Sequence, residues 1–177
     1  FDDAPFARSH RGDIPLVGVV FAASRLDGVV AGKIRRDGAN AAAVMARLIA
    51  ESRFVEHLQL VMLQGIAVGG FNVVDVFALH DETKLPLLVV AKRAPDFDAI
   101  RSALTTRVPG GARKWRIIER LGPMEKLGGV YVQRLGIDRD DAKRVIERFA
   151  ISGNMPEPLR VAHLVATAFG LQDTTAS

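Results

Sequence analysis

The sequence has 177 residues, 49% of them hydrophobic and 25% charged, and no cysteine. That is enough apolar material for one domain with a real core, and it excludes a disulfide framework, a cysteine–zinc site and a cysteine nucleophile. Lys and Arg outnumber Asp and Glu by 24 to 20, a balance that favours polyanionic partners through long-range attraction and equally suits a moderately basic protein without them.

The chain opens at Phe1, inside what reads as a strand end, and this pattern predicts residues upstream of it. Ile14 to Ala22 is almost continuously apolar, and Gly28 to Ile34 follows the turn-like Arg25-Leu26-Asp27-Gly28. Asp-Gly is a hairpin signal, so these two segments read as antiparallel neighbours, and Phe1-Asp2 would make the first strand of a three-strand meander. Ala41, Val44, Met45, Leu48 and Ile49 then recur at helical spacing. Leu58 to Leu63 and Leu85 to Ala91 are short apolar runs without strict alternation, as in strands buried on both faces of a parallel sheet. Phe71 to His80 reads as a buried helix between them, and Phe97, Ile100 and Leu104 mark another.

Trp115 to Ile118 and Val130 to Val132 read as edge strands. Asp138 is placed to cap a helix carrying Ala142, Val145, Ile146, Phe149 and Ala150. Pro158 can open a last helix, with Val161, Leu164, Val165, Ala168 and Phe169 as its apolar stripe. The expectation is one α/β domain over 1–171 and a flexible tail over 172–177. Strand–helix–strand alternation implies parallel crossovers. A strand meander followed by such crossovers, with helices on both faces of a mixed sheet, is the RNase H-like arrangement. No apolar run reaches the ~18 residues of a membrane span and no signal peptide is visible, which fits a cytoplasmic protein.

Several polar groups fall where chemistry could be placed. Asp2-Asp3 ends the first strand, and hard cations such as Mg²⁺ take oxygen ligands of this kind; a solvated acidic turn before Pro5 is the plainer alternative. Asp37, before Gly38, precedes the first long helix, where an acid also favours the helix dipole. Gln64 and Lys92-Arg93 end central strands, the edge at which open α/β sheets bind ligands. A lysine there could stabilise charge on a phosphate. Gly69-Gly70 could bring backbone N–H groups to an anion, or simply make a tight turn. Asn72 and Asp75, three apart, would share a helix face, as would Arg160 and His163. Three basic groups, Arg8-Ser9-His10-Arg11, Lys33 with Arg35-Arg36, and Arg113-Lys114 with Arg116, form a phosphate track if the fold gathers them. The four histidines lack zinc spacing, and neither a P-loop nor a G-x-S-x-G motif is present.

FDDAPF from Phe1, LQGIAVGGFNVVDVFAL from Leu63 and MPEPLRVAHLVA from Met155 together resemble the endonuclease V-like family known as domain of unknown function ninety-nine. They span nearly the whole chain. More distantly, the sequence resembles endonuclease V, which cuts near inosine with Mg²⁺ or Mn²⁺. The resemblance implies that Asp2 stands for the first-strand Asp, with Asp3 as an extra neighbour. Asp37-Gly38 stands for a Glu-Gly, Gln64-Gly65 for an Asp-Gly, and Val90-Ala91-Lys92 for a Val-Ala-Lys. Pro156-Glu157-Pro158 and Arg160 match the C-terminal Pro-Glu-Pro and Arg.

What it implies is a divalent-metal-dependent endonuclease acting on DNA or RNA, single-stranded or inosine-containing strands included. Asp2, Asp37 and Lys92 would be catalytic. Asp2, Asp37 and Gln64 would hold Mg²⁺ or Mn²⁺, and Lys92, Arg93, Gly69, Gly70, Asn72 and Arg160 would touch nucleic acid. Asp3, Asp75 and His163 are further candidates. Gln64 departs from the pattern, because an amide there removes a full charge. At ~4 Å and an effective dielectric of ~20 one charge pair contributes ~4 kcal/mol before desolvation. Metal affinity would fall unless Asp3 or Asp75 supplies the charge. A non-catalytic nucleic-acid-binding protein is therefore the alternative, and a protein-interaction scaffold the third.

Overall fold

The computed structural model describes residues 1–174. β1 (Asp2–Asp3), β2 (Asp13–Ala22) and β3 (Arg25–Arg35) form the expected antiparallel meander. Its turn is not where Asp-Gly placed it. Ala22 pairs with Arg25, so Ala23-Ser24 makes the turn, with Ala23 at φ 53. Val20 pairs with Gly28 and Phe21 with Leu26, which leaves Asp27 as the extra residue of a β-bulge. Gly28 serves packing: a Cβ there would lie 2.4 Å from the Phe54 ring.

α1 (Ala41–Ala50) follows, and its Ala41, Met45 and Leu48 are buried. After a 3-10 turn at Val55–His57 comes β4 (Val61–Gln64). The helix predicted over Phe71–His80 is half right. A small hairpin of β5 (Ala67–Val68) and β6 (Asn72–Val73) takes its beginning, and α2 (Val76–Thr83) starts only after Asp75. Asn72 and Asp75 therefore do not share a helix face. β7 (Leu87–Ala91) and α3 (Phe97–Arg107) stand as expected. Trp115–Ile118 is not a strand. It lies in α4 (Gly111–Leu121), where Gly111, Lys114 and Ile118 are buried at helical spacing. β8 (Glu125–Leu127), β9 (Val130–Leu135), α5 (Arg139–Phe149) and α6 (Glu157–Thr174) complete the chain. Asp138 caps α5 by accepting the Asp141 N–H at 2.7 Å. The expected tail overlaps the end of α6 and otherwise lies outside the described residues.

β4 is parallel to β7, β9 is antiparallel to β7, and β8 is antiparallel to β9. Two backbone bonds join this sheet to the meander. The Phe1 nitrogen donates to the Met62 carbonyl at 2.7 Å, and the Gln64 N–H donates to the Phe1 carbonyl at 3.3 Å. That is the bond pattern of a parallel pair, so across the hydrogen bonds the strands run β3-β2-β1-β4-β7-β9-β8. The result is a mixed α/β fold.

Alternation along the strands divides the core. Leu87 and Val89 join the cluster beneath α1, α2, α3 and α4, whereas Leu88 and Val90 join the one formed with α5 and the start of α6. A largely apolar cavity of about 1010 Å³ lies between the later part of β2 and the approach to β4, bounded by Phe1 and Leu159. None of Asp2, Asp3, Asp37, Gln64 or Lys92 lines it. Among the described residues no helix is long and apolar enough to cross a membrane.

Candidate functional site

β1 is short, and its two acids point opposite ways because successive strand residues alternate faces. Phe1 pairs with Leu63, so Asp2 stands beside Gln64, which is itself in register with Val90. This places Asp2, Gln64 and Val90 on one face, the face that carries α6. Asp2 is buried at 5% exposure, and its Oδ2 lies 2.8 Å from Nδ1 of His163 on α6. The His163 side chain is 55% exposed. Its other ring nitrogen, Nε2, is therefore the one left for a ligand. Burial pushes the Asp2 carboxyl above its ordinary range, and the His163 contact pulls the other way.

Asp3 faces the other side of the sheet. Its carboxyl is pushed up to about 6, first by burial, with Asp2 adding to the shift and the nearby Gly69 N–H opposing it. Gly69 ties Asp3 to Asp37. The Asp37 N–H donates to the Gly69 carbonyl at 2.9 Å, and Asp37 Oδ1 accepts the Phe71 N–H at 2.8 Å. Asp37 itself sits at φ 52. The Gly69-Gly70 loop thus lends backbone N–H groups to acids of its own chain. Gly70 has φ 82, and a Cβ there would lie 2.5 Å from Asp37 Oδ1.

Two cations hold Asp37. Arg36 Nε is 3.3 Å from its Oδ2, and the buried Lys114 ammonium donates to its carbonyl at 2.6 Å. Burial lowers the Lys114 pKa, while Asp37 opposes the shift. Asn72, fully buried, donates to the Arg35 carbonyl and to Asn40 Oδ1, each at 2.9 Å, and accepts the Ala41 N–H at 3.2 Å. Its amide is committed to joining β3, α1 and β6. Asp75 caps α2 by accepting the Ala78 N–H at 3.1 Å. Arg160 is exposed and paired with Glu157 on α6. Lys92 and Arg93 are exposed just past β7, at the same sheet edge as Gln64.

The structure thus brings together Asp2, His163 and Gln64, with Asp3 behind them, and keeps Asp37 in a separate, neutralised setting. Asp37 already serves a backbone N–H and an arginine, and Gln64 brings no charge. Among the described residues no three His, Asp or Glu side chains gather as a metal would require. The Asp2–His163 pair was not visible in the sequence, because 161 positions separate its members; proximity of an acid to the last helix appears only when that helix is laid on β1.

The fold and site together define an α/β protein in which a buried acid on the first strand meets a half-exposed imidazole on the last helix. The family model described as Endonuclease dU matches residues 1–170, and the chain belongs to that family. It is 55% identical over 166 residues to a UPF0215 protein of Deinococcus radiodurans, covering 94% of this chain and 84% of that one. It is 41% identical over 166 residues to a UPF0215 protein of Methanosarcina barkeri, covering 91% and 85%. A crystal structure of a protein of unknown function from Archaeoglobus fulgidus superposes with a TM-score of 0.88 at 33% identity, over 95% of this chain and 94% of that one.

Proposed function

We propose that the protein is a nucleic-acid endonuclease whose working centre is the Asp2–His163 pair, on an RNase H-like sheet. The 3-2-1-4 order of the first four strands, with β1 parallel to β4, supports that fold reading. The observation that carries the activity is the 2.8 Å contact between a buried carboxylate and a half-exposed imidazole. A carboxylate on Nδ1 fixes the ring and its tautomer, leaving Nε2 to accept a proton. In the proposed reaction water attacks the phosphorus of a phosphodiester and gives its proton to His163 Nε2. The P–O bond to the leaving sugar oxygen breaks, and that oxygen is protonated from solvent. Asp2 stabilises the imidazolium that forms. Lys92 and Arg93, at the same edge, are proposed to face the phosphate.

The family description names an endonuclease and dU, so a deoxyuridine-bearing strand is the first substrate to offer. Labelled DNA and RNA strands with deoxyuridine, inosine or neither are incubated with chelator, Mg²⁺ or Mn²⁺. Cutting of at least one strand, reduced a hundredfold or more in both Asp2→Asn and His163→Gln, is expected. Undiminished cutting by both variants overturns the assignment. The neutral Gln64 and the committed Asp37 favour a second reading, a binding protein that does not cut; gel shift without cleavage under every condition selects it.

A further inference from the structure

The joined sheet ends on two strands, β3 and β8, and their outer edges differ. β8 is three residues long and carries Glu125 and Lys126, the short, charged kind of edge that resists pairing. β3 has 11 residues, and its middle, Gly28-Val29-Val30-Ala31-Gly32, holds no charge and no proline. Its backbone directions follow from the ladder. The Arg36 N–H donates to the Gly12 carbonyl at 3.1 Å, which carries the β2–β3 pairing one residue further and turns the even-numbered residues of β3 toward β2. The Arg35 N–H accordingly points away from β2 and donates to Asn40 Oδ1 at 3.1 Å, while its carbonyl accepts from Asn72. Both backbone groups of a residue point the same way in an antiparallel pair, so Val29, Ala31 and Lys33 also point theirs outward. Among the described residues nothing bonds to these outward groups.

The open stretch is bounded at both ends by the chain itself. Asn40 and Asn72 take Arg35, and the Arg53 guanidinium reaches the Asp27 carbonyl at 3.4 Å. Between these stops the sequence is self-complementary. Two copies laid antiparallel about Val30 set Gly28 against Gly32, Val29 against Ala31, and Lys33 against Asp27. Lys33 is in no ion pair among the described residues, so each copy's free cation meets a carboxylate. Arg25 and Arg35 lie outside this stretch and already have partners, Asp27 and Asp13. α6 packs over β2 and β1, and beyond it Val29 and Ala31 are exposed on the same face of β3.

We infer that β3 is the interface of a homodimer: a second copy of this chain pairs with it antiparallel about a twofold axis at Val30, through the outward N–H and C=O groups of Val29 and Ala31. The match is to an identical strand rather than to any extended peptide. An uncharged centre is flanked by a free cation on one side and an acid on the other, and antiparallel pairing of two copies brings these together twice. The inference stands apart from the endonuclease reading and uses none of its residues. Antiparallel pairing keeps α6 of both copies on one side of the joined sheet.

Sedimentation equilibrium over a micromolar concentration series should give twice the chain mass for wild type. Ala31→Pro removes an outward N–H, which an edge strand tolerates within one chain, and should weaken association at least ~10-fold. Val29→Lys, at an exposed position, should weaken it similarly without touching the backbone, and its melting temperature should stay at the wild-type value. Cross-linking reads the register. The chain has no cysteine, so Val30→Cys puts one thiol per copy on the axis. The two Cα atoms would stand about 4.5 Å apart, as in a non-hydrogen-bonded pair and within disulfide reach, and mild oxidation should give a linked dimer. Val29→Cys sets its two Cα atoms ~8–9 Å apart, beyond that reach, and should stay unlinked. Wild-type protein that is monomeric throughout overturns the inference and leaves the edge to a foreign strand. Undiminished association of both Ala31→Pro and Val29→Lys also overturns it, by placing the interface elsewhere. So does linkage of Val29→Cys without linkage of Val30→Cys.

Discussion

His163 Nδ1 lies 2.8 Å from Asp2 Oδ2, joining the last helix to the first strand across 161 positions of sequence. Asp2 is costly where it stands: burial raises its pKa, which means that the fold disfavours its charge. A group of this kind is retained for what it does. Asp2→Asn should therefore melt at the wild-type temperature or above it at pH 8, while any cleavage is lost. Paired melting curves and cleavage assays check this opposition of stability and activity. A fall of several degrees in the melting temperature would instead make the Asp2–His163 contact a structural clamp.

Asp3 gives a pH signature. Its folded carboxyl titrates near 6, against an ordinary value of 3.8. The fold thus favours the protonated form. The stability this contributes is complete below about pH 4 and is lost as pH rises through about 6. Asp3→Asn should flatten the stability curve between pH 4 and 7 and raise stability at pH 8 by about 1–2 kcal/mol. Urea denaturation at several pH values reads both effects; an unchanged slope would show that Asp3 is solvated in solution.

Asn72 was legible as a polar residue in an apolar stretch, but not as what it is. Helical spacing suggested a shared face with Asp75, whereas Asn72 lies in a hairpin and bonds to Arg35, Asn40 and Ala41. Asn72→Ala would leave the Arg35 carbonyl and the Ala41 N–H without that partner. The expected loss is about 2–4 kcal/mol, seen as an earlier urea midpoint with an unchanged slope.

What the sequence disclosed follows a physical division. β2, β3, β4, β7 and helices α1, α3, α5 and α6 announced themselves because their apolar spacing is local. The turn at Ala23-Ser24 did not, since continued pairing along β2 and β3 outweighed the Asp27-Gly28 signal. α4 was hidden because Trp115-Arg116-Ile117-Ile118 looks strand-like alone, and only the spacing of Gly111, Lys114 and Ile118 shows the helix. Gln64 and Lys92 were found at strand ends by the rule for open sheets, and Asp2 as one of two adjacent acids, but the partner of Asp2 came from elsewhere. No periodicity could reveal that Lys114 reaches Asp37, or that His163 reaches Asp2.

Gly70 tests the setting of Asp37. With φ at 82 and a Cβ that would meet Asp37 Oδ1 at 2.5 Å, Gly70→Ala is strained in backbone and in contact alike. The expected cost is about 1–3 kcal/mol. Because the same carboxylate takes the Phe71 N–H and faces Arg36, exchange protection of the Phe71 amide should fall as well. Protection at wild-type level would show that the loop yields without moving Asp37.

Gln64 offers the reverse experiment, adding the charge that the pattern lacks. Gln64 is on the face of Asp2 and one strand away, so Gln64→Asp sets two carboxylates side by side. Without an ion they repel, and the variant should lose about 1–2 kcal/mol at pH 8. An added divalent ion should relieve that repulsion, since two oxygen donors of full charge suit Mg²⁺ or Mn²⁺. Millimolar Mn²⁺ should then raise the melting temperature of Gln64→Asp by several degrees and that of wild type by much less. An equal rise in both proteins would mean that the amide already serves as a sufficient ligand beside Asp2. No rise in either would mean that this face of β1 and β4 does not bind the ion even with its charge restored.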